Sequence, residues 1–270
     1  MPSPAPTILV FDSGLGGLTV YREIAAARPD ANYVYLADDA AFPYGDMPED
    51  ALITRILHVI GKAKAEHRPD LVVVACNTAS TLALKDLRAQ YQVPFVGTVP
   101  AIKPACAQSK SKRVTVLGTQ ATVSREYTRA LIREFAQGCE VDLVGSSRLA
   151  AFAEAELAGD PVADAAVAAE IAPCFVDESG RRTDTVVLAC THYPLLAARF
   201  ERLAPWPVAW LDPAAAIARR VTELIGPAQS AKAGAQARLL FTSGKTPSPA
   251  LRKSLAGYGF KPAAAGAPEV

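Results

Sequence analysis

The chain has 270 residues, of which 50% are hydrophobic and 20% charged, and its formal net charge is +1. This composition is that of a globular protein, and the lack of a dense Lys/Arg cluster argues against a nucleic-acid partner. No uninterrupted apolar run reaches the length of a membrane span, so we expect no membrane association. Five cysteines and three histidines, without a C-x-x-C spacing, favour neither a disulfide framework nor a structural zinc site. We expect a cytoplasmic α/β protein with reduced thiols, preceded by a disordered lead at 1–6 that lacks a signal-peptide pattern.

The first part of the chain alternates short apolar runs with amphipathic segments. Continuous runs rich in β-branched residues are typical of buried parallel strands, and apolar residues at helical spacing predict helices between them. The predicted strands are 7–11, 33–36, 71–75 and 93–96; the predicted helices end before Pro29, span 49–66 and end near Tyr91.

A second unit with a similar order of elements begins at Val114. Its predicted strands are 114–117, 141–144 and 185–189; one helix carries Val123 to Phe135, Ala-rich helices fill most of 149–175, and a further helix lies near 195–203. After this unit, the sequence predicts strands at 208–211 and 238–242 and a helix at 213–225. We assign the elements after 208 to the first sheet and expect the Ala/Gly/Pro-rich tail from Pro262 to be frayed. The sequence thus predicts two similar open α/β domains with parallel-rich sheets, with a ligand site in the cleft between them. The first domain comprises 1–98 plus 208–270 and the second 99–207.

The stretches 71–80 and 185–194 share an ending. Each is an apolar strand that ends in Ala-Cys and leads into polar residues and a helix. Cys76 and Cys190 therefore lie at the carboxyl ends of strands, where open α/β sheets bind ligands. Because a helix N-terminus stabilises an anion, we expect a lowered thiol pKa at both positions. The other cysteines, interpreted as small buried hydrophobes, are Cys106, Cys139 and Cys174.

The first predicted strand opens into a Gly-rich segment at 12–17, with the sequence DSGLGG. It fails the dinucleotide pattern G-x-G-x-x-G, because the third glycine position is Thr19. We interpret the segment as a helix N-terminus whose amides and Ser13 hydroxyl bind a small anion. Asp12 suits an ammonium group better than a pyrophosphate.

Several chemistries could use the paired thiols. A Cys–His hydrolase would combine Cys190 with His192 but would leave Cys76 idle. A redox dithiol usually has both cysteines in one C-x-x-C turn. Two bases on opposite faces of a planar carbanion would use both thiols, one removing a proton and the other delivering one, which is racemisation or epimerisation. A pyridoxal phosphate Schiff base has no obvious lysine in the strand-end loops.

A series of short motifs occurs in a fixed order along residues 8–244. They are FDSGLGGL at 11–18, PYG at 43–45, ACNTAS at 75–80, GTVPA at 97–101, TQAT at 119–122, CTHYP at 190–194 and FTSG at 241–244. Each motif is short, but their combination closely resembles the cofactor-independent glutamate racemases. The resemblance implies two α/β domains with the active site between them. It also implies conversion of L-glutamate to D-glutamate for peptidoglycan synthesis, without cofactor or metal.

The resemblance further implies roles for individual residues. Cys76 would take the proton of D-glutamate and Cys190 that of L-glutamate, and each would donate in the opposite direction. Asp12 would lie near the substrate ammonium and the first thiol, and His192 would assist the second thiol. The residues expected to bind substrate are Asp12, Ser13, Tyr44, Gly45, Asn77, Thr78, Thr119, Thr122, Thr191 and His192, with Asp38 and Glu154 as accessory acidic positions.

The chain departs from the family pattern at three places. Ala41, with Asp39 shortly before it, stands where many relatives have arginine, and Lys245 replaces an acidic residue after the late Thr-Ser-Gly. The segment 145–158, which contains Glu154, matches poorly. An aspartate racemase and a non-catalytic amino-acid-binding protein stay as alternatives beside the hydrolase. The sequence does not define the oligomeric state, for which a homodimer is one candidate.

Overall fold

The computed structural model describes residues 5–136, 138–229 and 236–260. The predictions for residues 1–4 and for the tail from Pro262 concern segments outside these residues. The strands, in chain order, are β1 (Thr7–Asp12), β2 (Asn32–Ala37), β3 (Leu71–Val74), β4 (Phe95–Gly97), β5 (Arg113–Thr119), β6 (Glu140–Ser146), β7 (Asp177–Glu178), β8 (Arg181–Arg182), β9 (Thr185–Ala189), β10 (Ala209–Leu211) and β11 (Ala237–Phe241). The helices are α1 (Leu18–Ala27), α2 (Glu49–His67), α3 (Asn77–Gln90), α4 (Ile102–Gln108), α5 (Gln120–Ser124), α6 (Glu126–Phe135), α7 (Leu149–Ala158), α8 (Asp164–Ile171), α9 (Ala197–Leu203), α10 (Ala214–Ile225) and α11 (Pro249–Ala256).

Two parallel sheets organise the described residues. The first has the strand order β11-β2-β1-β3-β4 and the second the order β10-β9-β5-β6. All pairings within these two sheets are parallel, whereas β7 and β8 form a separate antiparallel hairpin. The predicted fold class, two open α/β units with parallel sheets, is confirmed.

Helices cover both faces of the first sheet, which explains why its strands are apolar throughout. Along β1, Ile8 and Val10 pack into the core under α1 and α10, whereas Leu9 and Phe11 pack into the core under α2 and α3. All four side chains are fully buried, and each such burial contributes about 1.5–3 kcal/mol relative to exposure.

Among the described residues, no helix combines the length and the apolarity that a membrane span requires.

The prediction that the strand at 208–211 joins the first sheet is wrong. β10 pairs with β9, with Ala209 opposite Thr185, and forms an edge of the second sheet. The chain returns to the first sheet only with α10, whose Ile217 and Val221 belong to the core beside β1. A three-residue strand carries too short a side-chain pattern to specify its sheet, so the position of the preceding helix decides its partner.

The single helix predicted across Val123 and Phe135 is divided into α5 and α6. Arg125 separates them in an extended conformation, with φ −74° and ψ 144°. The Thr128 hydroxyl donates a hydrogen bond of 2.6 Å to the Thr122 carbonyl across this break. From this break the side chain of Arg125 reaches the starts of α2 and α3. The sequence also did not predict the short helices α4 and α11.

Candidate active site

The carboxyl ends of central strands from both sheets converge on one pocket. β3 leads into Cys76, β9 leads into Cys190, and β5 ends at Thr119. The cavity volume is about 30 Å³, which leaves room for only a few water molecules. The two thiols therefore share a nearly closed cleft between the sheets. The lining residues are Ser13, Phe42, Pro43, Tyr44, Gly45, Cys76, Asn77, Thr78, Thr119, Ala150, Ala189, Cys190, Thr191 and His192.

Cys76 caps the N-terminus of α3 and is 5% exposed. Its Sγ accepts a hydrogen bond from the Ala79 amide at 3.5 Å and lies 3.7 Å from Ser13 Oγ. Burial raises the pKa of the Cys76 thiol to about 12, and the charge of Asp12 acts in the same direction, while the contacts with Ala79 and Ser13 oppose both. The predicted lowering of this pKa by the helix N-terminus is therefore wrong in the closed pocket, because lost hydration outweighs the amide contact.

The second thiol lies at the end of a chain of polar contacts. Cys190 Sγ is 3.8 Å from His192 Nδ1, and His192 Nε2 is 2.8 Å from Glu154 Oε1. Burial by itself lowers the pKa of His192, but the hydrogen bonds and charges of Cys190 and Glu154 outweigh burial and raise it well above its usual range. A protonated His192 stabilises negative charge that develops on the Cys190 sulfur. Glu154 Oε1 also accepts the Leu15 amide at 2.6 Å, so the carboxylate joins α7 to the Gly-rich segment of the first unit.

Asp12 is fully buried behind the pocket lining. Its carboxylate accepts hydrogen bonds of 3.0 Å from the Thr191 hydroxyl and from the Gly14 amide. Burial raises the pKa of Asp12, and the positive charge of His192 opposes this effect. Asp12 therefore connects the end of β1 to the loop that carries Cys190 and His192.

Asp38 is fully buried and holds the loop that carries Tyr44 and Gly45. Its carboxylate accepts hydrogen bonds from the Tyr44 hydroxyl at 2.5 Å, from Arg55 at 2.7 and 2.6 Å, and from the Thr242 hydroxyl at 2.6 Å. Burial raises the pKa of Tyr44 well above its usual range, and the neighbouring Asp38 raises it further, so Tyr44 acts as a neutral donor. Asp38 does not line the pocket but fixes a loop that does.

The polar side chains at the start of α3 and α5 face each other. Asn77 is 2% exposed, and within the described residues neither its Oδ1 nor its Nδ2 has a hydrogen-bond partner. Thr78 Oγ1 lies 3.5 Å from Thr119 Oγ1, and Thr119 Oγ1 lies 2.9 Å from Thr122 Oγ1. Thr122 is fully buried and supports Thr119 instead of lining the pocket. A buried amide without a protein partner at the pocket wall is available to bind the polar groups of a ligand or an ordered water.

Most of the predicted site residues line this pocket, and Asp12, Asp38, Thr122 and Glu154 lie directly behind it. The sequence did not identify Phe42, whose ring lies 5.3 Å from that of His192, or Arg55, whose partner Asp38 is distant in sequence. Phe42 precedes the recognised PYG motif and could have been found by extending that motif by one residue. Nothing in the helical pattern of α2 distinguishes Arg55.

Among the described residues, no group of three or more His, Cys, Asp or Glu side chains is arranged to hold a metal ion.

Comparisons with known proteins show which chains this one is similar to in sequence and fold. A crystal structure of the Escherichia coli glutamate racemase, in complex with L-glutamate and the activator UDP-MurNAc-Ala, is similar with a TM-score of 0.87 and 40% identity, covering 95% of this chain and 96% of that one. The curated glutamate racemase of Brucella canis is 53% identical over 262 residues, which cover 96% of this chain and 94% of that protein. That of Sinorhizobium medicae is 54% identical over 261 residues, which cover 96% of each. The family model described as Asp/Glu/Hydantoin racemase matches residues 8–221, a range that includes both thiols. The chain therefore belongs to the Asp/Glu/hydantoin racemase family.

Proposed function

We propose that this chain is a glutamate racemase in which Cys76 and Cys190 act as the two bases on opposite faces of the substrate α-carbon. The observation that carries the proposal is the pair of thiols at matching strand–helix junctions, both lining one nearly closed pocket. Glutamate is supported as substrate because the similar curated proteins are glutamate racemases and the Escherichia coli structure contains L-glutamate.

The polar lining supports binding of a small zwitterion with a second carboxylate. The N-terminus of α3 offers main-chain amides and a positive helix end to an anion. Asn77 and Thr78 add a side-chain amide and a hydroxyl at that terminus, and Thr191 adds a hydroxyl from the opposite unit. The buried carboxylate of Asp12 provides negative charge for the substrate ammonium group. In this arrangement, glutamate occupies the pocket and hydrogen-bonds the side-chain amide of Asn77, which has no partner among the described residues.

The proposed chemistry is a proton exchange across one carbon. With L-glutamate bound, the Cys190 thiolate takes the α-proton, and its C–H electron pair stays on the substrate as a carbanion. The Cys76 thiol then delivers its proton to the opposite face, which gives D-glutamate, a Cys76 thiolate and a Cys190 thiol. The reverse sequence starts from that protonation state and converts D-glutamate to L-glutamate. Only two protons change place, the α-proton, which moves to Cys190, and the thiol proton of Cys76, which moves to the α-carbon, so the reaction needs no oxidant or reductant.

The surroundings of the two sulfurs differ in a way that suits this sequence. Cys190 has the cationic His192 beside it, whereas Cys76 has Asp12 near it and a raised pKa of about 12. Burial and Asp12 favour a neutral thiol at Cys76, and a cationic His192 stabilises negative charge that develops beside it. Exclusion of water strengthens each of these interactions and those that the fixed amides make with the carbanion.

The contacts of Cys190, His192 and Glu154 also resemble the nucleophile, base and orienting carboxylate of a cysteine hydrolase. That function would leave the matched thiol of Cys76 without a role. It would also produce a covalent acyl-enzyme, which intact-protein mass spectrometry detects. An aspartate racemase is distinguished by letting L-aspartate and L-glutamate compete for turnover, in which we expect glutamate to be consumed preferentially.

We further propose that the reaction supplies D-glutamate for peptidoglycan synthesis in the cytoplasm, as the family resemblance implies. All five cysteines are free, which supports a reducing compartment. A homodimer is a candidate assembly, and light scattering on the purified protein tests it.

The experiment is incubation of the purified protein with L-glutamate in deuterated water without added cofactor. We expect optical rotation to decay to zero while deuterium enters the α-position. Cys76→Ser and Cys190→Ser are each expected to abolish measurable racemisation, since each removes the base from one face. Cys139→Ser, a change at a free cysteine outside the pocket lining, serves as the matched control and keeps wild-type turnover. Wild-type turnover by either active-site variant would refute the two-base assignment.

A further inference from the structure

Arg125 lies in the second unit, but its guanidinium group contacts the first. It occupies the extended break between α5 and α6, and its side chain is 11% exposed. Nε donates a hydrogen bond of 3.0 Å to Glu49 Oε1, at the start of α2. Nη1 donates to the Thr78 carbonyl at 3.3 Å and to Thr81 Oγ1 at 3.1 Å, in the first turns of α3. One side chain thus joins the break beside α5 to the N-termini of two helices across the cleft.

These contacts lie directly beside the pocket. The carbonyl that Arg125 holds belongs to Thr78, which lines the pocket and faces Thr119 across the same seam at 3.5 Å. Asn77, with its unpaired buried amide, precedes Thr78 in the same helical turn. Any displacement of α5 and α6 away from α3 separates Arg125 from its partners and widens the pocket on this side.

The pocket must widen for exchange of substrate, because a cavity of about 30 Å³ is far smaller than an amino acid. Other contacts between the units include the buried hydrogen bond of Thr191 to Asp12 and the partly buried hydrogen bond of Leu15 to Glu154, both near the second thiol. The contacts of Arg125 lie at the starts of α2 and α3, where the partner carboxylate of Glu49 is 61% exposed. Water can replace that contact when the seam opens, whereas the carboxylate of Asp12 is fully buried.

We propose that Arg125 is a positioning residue that holds the first turn of α3 against the second unit when the cleft closes around the substrate. This inference rests on the proposed racemase function, and it assigns Arg125 a task beyond that function: stabilising the closed state in which Thr78 and Asn77 face the substrate. Arg125 touches neither thiol and acts through the main chain of Thr78. Arginine suits this position because one planar group donates to a carboxylate, a carbonyl and a hydroxyl at once.

Arg125→Ala is therefore expected to favour the open cleft. KM should rise and kcat should fall for both enantiomers, with a loss in kcat/KM of about tenfold, the size of one lost charge-assisted hydrogen bond. Because the enantiomers have equal free energies, kcat/KM must fall by the same factor in both directions. Cys76 should also react faster with iodoacetamide in the absence of substrate, because an open cleft exposes the buried thiol.

The experiment compares Arg125→Ala and Arg125→Lys with wild type by circular-dichroism kinetics in both directions. Alkylation of Cys76 is mapped by peptide mass spectrometry with and without saturating glutamate. Lys is expected to restore part of the loss, because an ammonium group can pair with Glu49 but cannot span all three acceptors. Arg129→Ala, at an exposed position on α6, is the matched control and should leave KM and alkylation unchanged.

Unchanged KM together with unchanged Cys76 alkylation in Arg125→Ala would overturn the proposal. So would lower activity that follows only from a lower melting temperature, with the alkylation rate of the folded fraction unaltered. If Arg125→Ala does not fold, Thr81→Val removes one partner and is expected to change KM and alkylation in the same direction by a smaller factor. If wild type fails to racemise glutamate, the proposed function fails, whereas the alkylation comparison still decides whether Arg125 holds the cleft closed.

Discussion

Glu154→Gln tests the polar chain that ends at the second thiol. Glu154 Oε1 lies 2.8 Å from His192 Nε2 and accepts the Leu15 amide at 2.6 Å. Glutamine keeps the size of the side chain and one acceptor oxygen, but it removes the negative charge. The substitution therefore separates the charge of Glu154 from its packing.

The structure allows the size of the effect to be worked out. A hydrogen bond to a charged group contributes about 1.5–3 kcal/mol, and a neutral one about 0.5–1.5 kcal/mol. Because His192 is only 2% exposed, little water replaces the lost charge, and the difference is about 1–2 kcal/mol. This corresponds to a loss of about 5- to 30-fold in kcat/KM, equal in the two directions. The loss in kcat should be larger from L- to D-glutamate, where Cys190 takes the proton.

The sign of the pH effect follows from the same contact. Glu154 helps to raise the pKa of His192, so its neutralisation must lower that pKa. If the imidazolium form of His192 supports proton abstraction, the alkaline limb of the kcat/KM profile moves to lower pH in Glu154→Gln. Circular-dichroism assays across the pH range measure this limb, with the exposed Glu201→Gln as control. Wild-type kcat/KM in Glu154→Gln, or a limb that stays in place or moves to higher pH, would refute the reasoning.

Two further changes test how the site is supported. Gly16→Ala would place a Cβ 2.6 Å from His192 Cγ and 2.7 Å from the main-chain nitrogen of His192. We therefore expect loss of most activity and a free energy of unfolding in urea that is about 1–3 kcal/mol lower. Wild-type kcat in this variant would show that the contact with Gly16 does not fix His192. Arg55→Ala leaves the fully buried Asp38 without its cation. Because Arg55 is itself 31% exposed, solvent weakens the ion pair, and we expect the free energy of unfolding to fall by about 2 kcal/mol. Arg55→Lys is expected to restore part of this loss. An unchanged urea midpoint for Arg55→Ala would mean that Tyr44 and Thr242 are sufficient partners for that carboxylate.

Both thiols could be found in the sequence because their signal is local. An apolar run rich in valine that ends in Ala-Cys predicts a buried parallel strand with a cysteine at its carboxyl end. The matching contexts of Cys76 and Cys190 then indicate paired roles. By contrast, the pattern at 208–211 does not indicate which sheet the strand joins, and the helical pattern across Arg125 does not show the break between α5 and α6. Both features depend on where neighbouring elements pack, which a short local pattern does not encode.

The sequence by itself determined the alternation of strands and helices, the positions of Cys76 and Cys190 at strand ends, and the family to which the chain belongs. Only the tertiary structure decided which distant side chains meet, because Thr242, a partner of Asp38, and Glu154, a partner of His192, lie far from them in the sequence. It also decided the direction of the pKa shift at Cys76. A helix N-terminus favours a thiolate, but closure of two units around the sulfur removes its hydration, and burial is a property of the whole fold.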